Sequence, residues 1–252
     1  MKFYSDVIFP RILDLSMSSS LMSQYRQQLL SDVEGDVLEI GFGTGLNLPY
    51  YPKTVRKLTA VDPNPGMSDL AQKRLKETSL DVETCQLSGE SLPMGDNTFD
   101  CVVSSWTLCS IPNVDQALRE IHRVLKPEGR LFFVEHGLSS EPQVQAWQNR
   151  LTPIQKRIAD GCHLNRNIQQ LIEEANFSLS QLEEFYMEDT PKVFKVFGYL
   201  YRGVATKTLS QAQTIYSWDE HGKQERQGKQ GKQGKQGKQG KWLNPSKSIS
   251  TG

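Results

Sequence analysis

The sequence predicts an α/β protein built on a doubly wound sheet. Short apolar runs that end in glycine or aspartate alternate with segments of helical periodicity. The runs at residues 37–40 and 58–61 are typical of buried parallel strands. Residues 114–125 place their apolar side chains on one helical face. Strands that alternate with helices indicate a mostly parallel sheet covered by helices.

The other central elements follow from the same periodicities. Residues 5–30 are predicted to be helical, because apolar residues recur there at helical spacing in two successive segments. Three more strands are predicted at residues 82–87, 101–103 and 131–134. Residues 126–129 read Lys-Pro-Glu-Gly, and this turn chemistry closes the preceding helix.

The pattern changes after His136. Residues 137–175 are amide-rich and helical in character, and we expect them to form a cover over a substrate. Residues 179–186 and 198–205 predict two final strands, and the short connection between them favours an antiparallel hairpin at the sheet edge. The predicted fold is therefore a seven-stranded sheet, mostly parallel, with an antiparallel C-terminal hairpin, a helical N-terminal segment and a helical cover.

Charge is distributed unevenly along the chain. Its 252 residues include 29 basic and 29 acidic side chains, but residues 208–252 carry eight Lys and Arg against three acids. Residues 1–207 therefore hold 21 basic and 26 acidic side chains. Gly-Lys-Gln repeats from residue 228 to 239 offer too little apolar surface to offset the entropy of ordering. We predict one domain, 1–207, followed by a disordered basic tail, 208–252, and no specific nucleic-acid partner.

The cysteines and the apolar runs bear on location. The four cysteines form no CxxC pair, which favours reduced, buried thiols: Cys85, Cys101, Cys109 and Cys162. No apolar run approaches the roughly 18 residues of a membrane span, and no signal peptide is evident. The sequence predicts a cytoplasmic protein without a membrane span. Peripheral membrane contact and the oligomeric state stay open.

A glycine-rich loop directly follows the first strand. Three glycines in five residues bring the backbone close to a ligand or require positive φ: Gly41, Gly43 and Gly45. Leu46 stands where a dinucleotide site would complete GxGxxG. Asp62 ends the second strand, where a carboxylate can accept both hydroxyls of a ribose, and Glu39 can attract an ammonium group through water. A ribose and an ammonium without a pyrophosphate describe S-adenosylmethionine better than NAD.

Motifs between residues 37 and 134 carry a family resemblance. They are Leu38-Glu39-Ile40-Gly41-Phe42-Gly43-Thr44-Gly45, Val61-Asp62, Gly89-Glu90-Ser91-Leu92-Pro93, Asn97-Thr98-Phe99-Asp100 and Leu125-Lys126-Pro127-Glu128-Gly129. On these motifs the sequence resembles the class I S-adenosylmethionine-dependent methyltransferases, in the group that includes the ubiquinone/menaquinone methyltransferases. The resemblance implies a Rossmann-like fold and S-adenosylmethionine as cofactor.

A closer resemblance extends to about residue 205. It is to the methyltransferase-like group that contains the animal alkyl thiol methyltransferases. The residues that carry it are Asp62-Pro63-Asn64-Pro65, Leu108-Cys109-Ser110, Glu135-His136 and Asp160-Gly161-Cys162, with Asn165-Arg166 nearby. It implies methyl transfer to a small, apolar or amphipathic acceptor, with a thiol ahead of a quinone-type ring carbon.

The resemblance also implies roles for individual residues. The loop glycines would pass under the methionine and ribose, while Asp62 would hold the ribose. Pro63 and Asn64 would line the adenine side. In the motif after strand three, Ser88, Gly89 and Glu90 would meet the adenine, with Ser88 where family members often have an Asp. The floor near the methionine would consist of Trp106, Thr107 and Leu108.

Two histidines are candidate catalytic residues. His136 follows the fifth strand at its carboxyl end, and His163 lies in the predicted cover. A structural role is the alternative for each. His122, His136 and His163 are scattered along the sequence, and no carboxylate cluster accompanies them. The sequence therefore predicts no metal site. Two other functions stay open: a non-catalytic sensor or interaction protein that binds S-adenosylmethionine, and a nicotinamide oxidoreductase, which Leu46 disfavours.

Overall fold

The structure is a computed structural model that describes residues 4–188 and 191–208. The strands are β1 Gly35–Ile40, β2 Val55–Val61, β3 Val82–Cys85, β4 Phe99–Ser105, β5 Leu125–His136, β6 Phe177–Tyr186 and β7 Tyr199–Lys207. The α-helices are α1 Phe9–Met17, α2 Ser20–Leu30, α3 Pro65–Glu77, α4 Val114–Val124, α5 Pro142–Ile158 and α6 Ile168–Glu174. Apart from Thr208, the predicted tail lies outside the described residues.

The strands form one seven-stranded sheet in the order β3-β2-β1-β4-β5-β7-β6. Neighbouring strands from β3 to β5 are parallel, whereas β7 is antiparallel to both β5 and β6. This confirms the predicted doubly wound, Rossmann-like sheet and its C-terminal hairpin. The chain order reverses between β1 and β4, so the crevice at the carboxyl ends of these two strands is the expected place for a ligand.

Both faces of β1 are buried. Leu38 packs in a cluster that contains Ile121 of α4, whereas Val37 packs in a second cluster that contains Leu30 of α2. Neighbouring residues of a strand point to opposite faces, so these two clusters lie on opposite sides of the sheet. The short apolar run at residues 37–40 is therefore explained by a strand that helices cover on both faces.

The start of β5 differs from the predicted turn. The helix α4 ends at Val124, close to its expected end, but residues 126–129 belong to the strand. The pairing register shifts between Phe99 and Cys101 of the neighbouring β4, and this irregularity accommodates the proline and glycine. Lys126 Nζ also binds the carboxylate of Asp100, at 2.6 Å.

The predicted helical segments are present. Residues 4–30 contain a single π-helical turn, Tyr4–Ile8, followed by α1 and α2. The expected cover contains α5 and α6, joined by the non-helical residues 159–167. Within the described ranges, no helix combines the length and apolar character needed to cross a membrane.

Candidate active site

The glycine loop after β1 adopts backbone conformations that favour glycine. Gly41, Gly43 and Gly45 have φ values of +74°, +58° and +77°. A Cβ atom on Gly41 would lie 2.0 Å from Oγ1 of Thr107, far inside contact distance. The predicted need for positive φ is therefore confirmed, whereas close approach of this loop to a ligand stays a prediction. The loop is closed tightly against the segment that follows β4.

Asp62 fixes this loop to the end of β2. Its Oδ2 accepts the N–H of Gly43 at 2.9 Å, and its Oδ1 accepts the N–H of Asn64 at 2.8 Å. Burial raises the pKa of Asp62, although the two N–H donors act in the opposite direction. A carboxylate oxygen has two lone pairs, so each oxygen keeps one for a further donor.

Glu39 lies fully buried beneath the loop, with 1% of its surface exposed. Asn47 Nδ2 donates to its Oε1 and the hydroxyl of Tyr51 donates to its Oε2, both at 2.7 Å. Burial raises the pKa of Glu39 to about 7, whereas these donors and Arg26 oppose the shift. Sequence reasoning singled out Glu39 but missed the three side chains around it, because no strand or helix pattern relates them.

The motif after β3 reaches the same crevice. Ser88 Oγ donates to Glu90 Oε2 at 3.1 Å, and Glu90 Oε1 accepts the N–H of Asn113 before α4 at 2.6 Å. A Cβ on Gly89 would lie 2.8 Å from Cγ2 of Ile40, the last residue of β1. Glu90 is thereby committed to two internal contacts. Contact of this motif with adenine stays a prediction.

The two residues after Asp62 form the rim beside α3. Pro63 is exposed, and Asn64 Oδ1 caps α3 by accepting the N–H of Gly66 at 2.9 Å. Their contact with the adenine side stays a prediction.

A buried carboxylate organises the segment after β4. Glu135 accepts hydrogen bonds from Ser104 Oγ at 2.7 Å, from the N–H of Thr107 at 3.0 Å and from the N–H of Cys109 at 3.2 Å. Burial raises its pKa, and the donors oppose that shift. The sequence motif that contains Glu135 predicted no role for this residue. It positions the predicted floor of Trp106, Thr107 and Leu108.

The fold brings both candidate histidines to this floor. The backbone N–H of His163 donates to the carbonyl oxygen of Cys109 at 2.8 Å, and Nδ1 of His163 lies 3.1 Å from the same oxygen. Burial and the nearby Arg166 lower the pKa of His163. His136 groups with Cys109 and Cys162, and the ligand atoms of these three residues all lie within 4.8 Å of one another. Sequence reasoning treated these residues separately.

Comparison with known proteins decides the family. A profile of a methyltransferase domain matches residues 38–133. Thiol S-methyltransferase TMT1B of Rattus norvegicus is 41% identical over 174 residues, which cover 67% of this chain and 70% of that protein. This chain belongs to the class I S-adenosylmethionine-dependent methyltransferases. S-adenosylmethionine is therefore the methyl donor.

One further relative and one solved structure are also similar to this methyltransferase. The ubiquinone/menaquinone biosynthesis C-methyltransferase UbiE of Escherichia coli is 36% identical over 104 residues, covering 39% of this chain and 41% of that protein. The crystal structure of a methyltransferase from Aquifex aeolicus superposes with a TM-score of 0.57 at 19% identity, covering 79% of this chain and 98% of that one. At this identity the structural likeness supports the fold alone.

The methyltransferase has buried polar atoms that suit its donor. Arg26 Nε, Asn47 Oδ1 and Trp106 Nε1 find no hydrogen-bond partner among residues 4–188 and 191–208. Two contacts relate their side chains: the Arg26 guanidinium lies over the Trp106 ring, and Glu39, which Asn47 contacts, also interacts electrostatically with Arg26. Unpaired buried polar atoms are costly. The ammonium and carboxylate of S-adenosylmethionine would pair them, so the residues present fit this group.

Proposed function

We propose that this methyltransferase transfers the methyl group to the sulfur of a small, apolar or amphipathic thiol. The extent of the similarity carries the proposal. The thiol S-methyltransferase of rat matches 174 residues, whereas the C-methyltransferase UbiE matches 104. The longer match includes sequence beyond the domain at residues 38–133. A quinone-type ring carbon is the second candidate acceptor, because UbiE is 36% identical to this chain over 104 residues.

In this proposal the crevice holds the donor along the loop. Asp62 accepts the ribose hydroxyls with its two remaining lone pairs, and the loop glycines allow the close approach of backbone. Glu39, Asn47 and Arg26 receive the amino-acid end. The adenine lies towards α3 and the motif after β3, with Pro63, Asn64, Ser88 and Gly89 around it.

The chain's own residues orient the acceptor and take its proton. The bound donor supplies an electrophilic methyl group, so the protein needs no activated electrophile of its own. A free thiol has a pKa of about 8.5, and its deprotonation needs modest help. Because a carbonyl only accepts, Nδ1 of His163 carries the hydrogen in its contact with Cys109, which leaves Nε2 as an acceptor. We assign proton acceptance to His163 and acceptor contact to His136.

A methyl-transfer assay across acceptor classes tests the proposal. The purified chain and radiolabelled S-adenosylmethionine are incubated with alkyl thiols, phenols and quinones, with Asp62→Ala as the control of impaired donor binding. We expect labelled thioether from the thiols. Exclusive labelling of quinone carbon would replace the thiol by the second candidate. Donor binding without transfer to any class would support a non-catalytic sensor.

A further inference from the structure

Three side chains that are far apart in the sequence meet beside the crevice. Cys109 follows β4, His136 ends β5, and Cys162 lies in the connection between α5 and α6. Their ligand atoms lie within 4.8 Å of one another, and the two sulfur atoms are 3.7 Å apart. Only 1% of Cys109 and 6% of Cys162 is exposed. The sequence predicts no metal site, because its histidines are scattered and no carboxylate cluster accompanies them, but the fold brings these two thiols to His136.

The sulfur separation agrees with shared coordination of a metal ion. A tetrahedral zinc ion with Zn–S bonds of about 2.3 Å holds its two sulfur ligands roughly 3.8 Å apart. A disulfide requires about 2.05 Å, so the thiols would have to close by more than ~1.5 Å. A ring nitrogen of His136 also lies within 4.8 Å of both sulfur atoms and supplies a third ligand atom. A disulfide between the two cysteines would not involve this imidazole.

We propose that Cys109, His136 and Cys162 form a binding site for a borderline-soft divalent cation of the zinc class. Two thiolates and one imidazole are the ligands that such a cation prefers over oxygen donors. Two thiolates also neutralise its charge. Three protein ligands leave a fourth tetrahedral position, the pattern of sites that bind a substrate rather than only brace a fold.

The surrounding residues hold the two thiol-bearing segments together. The N–H of Cys109 donates to Glu135, and its carbonyl accepts from His163. Gly161, beside Cys162, has a φ of +93°, and a Cβ there would lie 2.8 Å from the carbonyl oxygen of Ser110. Only glycine allows this approach. The two segments that carry the thiol ligands are therefore held in place by backbone contacts.

The fourth position is suited to the acceptor sulfur, an assignment that rests on the proposed function. Thr107, two residues before Cys109, packs against Gly41 of the donor loop, and His136 is partly exposed. An acceptor thiol would lose its proton to solvent and bind as a thiolate. Its sulfur–metal bond would break as its sulfur–methyl bond forms and the donor's sulfur–methyl bond breaks. In this arrangement His136 would meet the acceptor through the metal ion that both bind.

Cobalt substitution tests the metal site without any need for methyl transfer. The full chain is stripped with a chelator and titrated with Co²⁺ under a reductant that lacks thiols. We expect saturation at one equivalent, with sulfur-to-cobalt charge-transfer absorption and the visible bands of a tetrahedral site. Cys109→Ala and Cys162→Ala should each weaken binding by at least roughly tenfold, the smallest loss seen even for outer-shell partners.

Cys101→Ala is the matched control, because Cys101 is a buried thiol nearer the start of β4. It should leave the cobalt spectrum and affinity unchanged. Circular dichroism confirms that each variant is folded, and a Cys162→Ser variant replaces any that is not. Absence of charge-transfer absorption, or its persistence in both site variants, would overturn the metal site.

A second titration examines the fourth position. Adding 2-mercaptoethanol to the cobalt-loaded chain should change the visible bands, since the thiol enters the coordination sphere. An unchanged spectrum would overturn the acceptor assignment while the thiol assay above still tests methyl transfer separately. The methyl-transfer assay is also run on the chelator-stripped chain. If this chain forms labelled thioether at an undiminished rate, the metal has no role in presenting the acceptor.

Discussion

Asp62 Oδ2 accepts the backbone N–H of Gly43 at 2.9 Å, so the carboxylate at the end of β2 and the tip of the glycine loop form one unit. The second oxygen holds the N–H of Asn64 at 2.8 Å, at the start of α3. One side chain therefore joins three elements at the carboxyl edge of the sheet. A ligand that binds Asp62 meets a carboxylate whose orientation is already fixed.

Replacing Asp62 should weaken donor binding. Asp62→Ala removes a charged acceptor of hydrogen bonds, which corresponds to roughly 1.5–3 kcal/mol of binding free energy. Isothermal titration calorimetry with S-adenosylhomocysteine measures the loss. Asp81→Ala is the matched control, because Asp81 is exposed and directly precedes β3, at the edge of the sheet away from Asp62. This variant should bind S-adenosylhomocysteine with wild-type affinity. Equal affinity of both variants would remove Asp62 from the site.

Glu39 should make the stability of the free protein depend on pH. Burial raises the pKa of Glu39 in the folded state from 4.5 to about 7. The folded state therefore binds more protons than the unfolded state in this interval, and stability falls as the pH rises through it. Relative to Glu39→Gln, the free energy of unfolding should decrease by about 3 kcal/mol between about pH 4.5 and 8.

Urea unfolding of the wild type and of Glu39→Gln across this pH range measures the difference between their free energies of unfolding. The contributions of the other titrating groups are common to both proteins and cancel in this difference. Donor binding should show the opposite trend, because the charged carboxylate attracts an ammonium group. Affinity would then rise through about pH 7 in the wild type and stay flat in the variant. Parallel stability curves would mean that Glu39 titrates near its ordinary value.

Glu135 should be important for stability as well as for the site. Glu135→Gln places an amide donor against the N–H of Thr107 or Cys109, with an expected loss of roughly 1.5–3 kcal/mol. Denaturation in urea with linear extrapolation gives the value. Glu128→Gln, on the same strand but exposed, should change stability by less than about 0.5 kcal/mol. Similar losses in the two variants would contradict the assigned role.

Gly41 should tolerate no side chain. Alanine there meets both an unfavourable φ of +74° and the side chain of Thr107, which together correspond to a loss of about 2–4 kcal/mol. Gly95→Ala is the comparison, because its Cβ would lie 3.6 Å from Oγ1 of Thr98, an ordinary contact. Thermal unfolding distinguishes the two, and a stable Gly41→Ala protein would show that the loop can move away from Thr107.

Local patterns were sufficient to predict the sheet and one end of the site. Strand positions, the glycine loop and Asp62 depend on residues close in sequence, and each was predicted near its observed place. The end of α4 was also predicted, but the residues after it were assigned to a turn. Leu125 and Arg130, on either side of them, pair with β4 and so include them in β5, and such pairing cannot be read from local propensity.

The parts that were missed depend on contacts between distant segments. Cys109 and Cys162 are 53 positions apart, and only the return of the cover onto the floor brings their sulfur atoms together. Arg26 reaches Trp106 from the N-terminal helices in the same way. Residue type alone did not predict either contact, because a buried thiol and an arginine in a helix are both common in proteins without any functional role.

The close approach of Gly161 to Ser110 bears on how an acceptor enters. Arg166 also donates to the carbonyls of Leu108 and Ile111, so the cover is bonded to the floor at several points. By contrast, α1 meets the donor loop through the Asp14 carboxylate, which contacts Thr44 and Arg74. Opening on the cover side would have to break the backbone packing. We therefore expect the acceptor's route, and the rate of its exchange, to depend on displacement of the N-terminal helices.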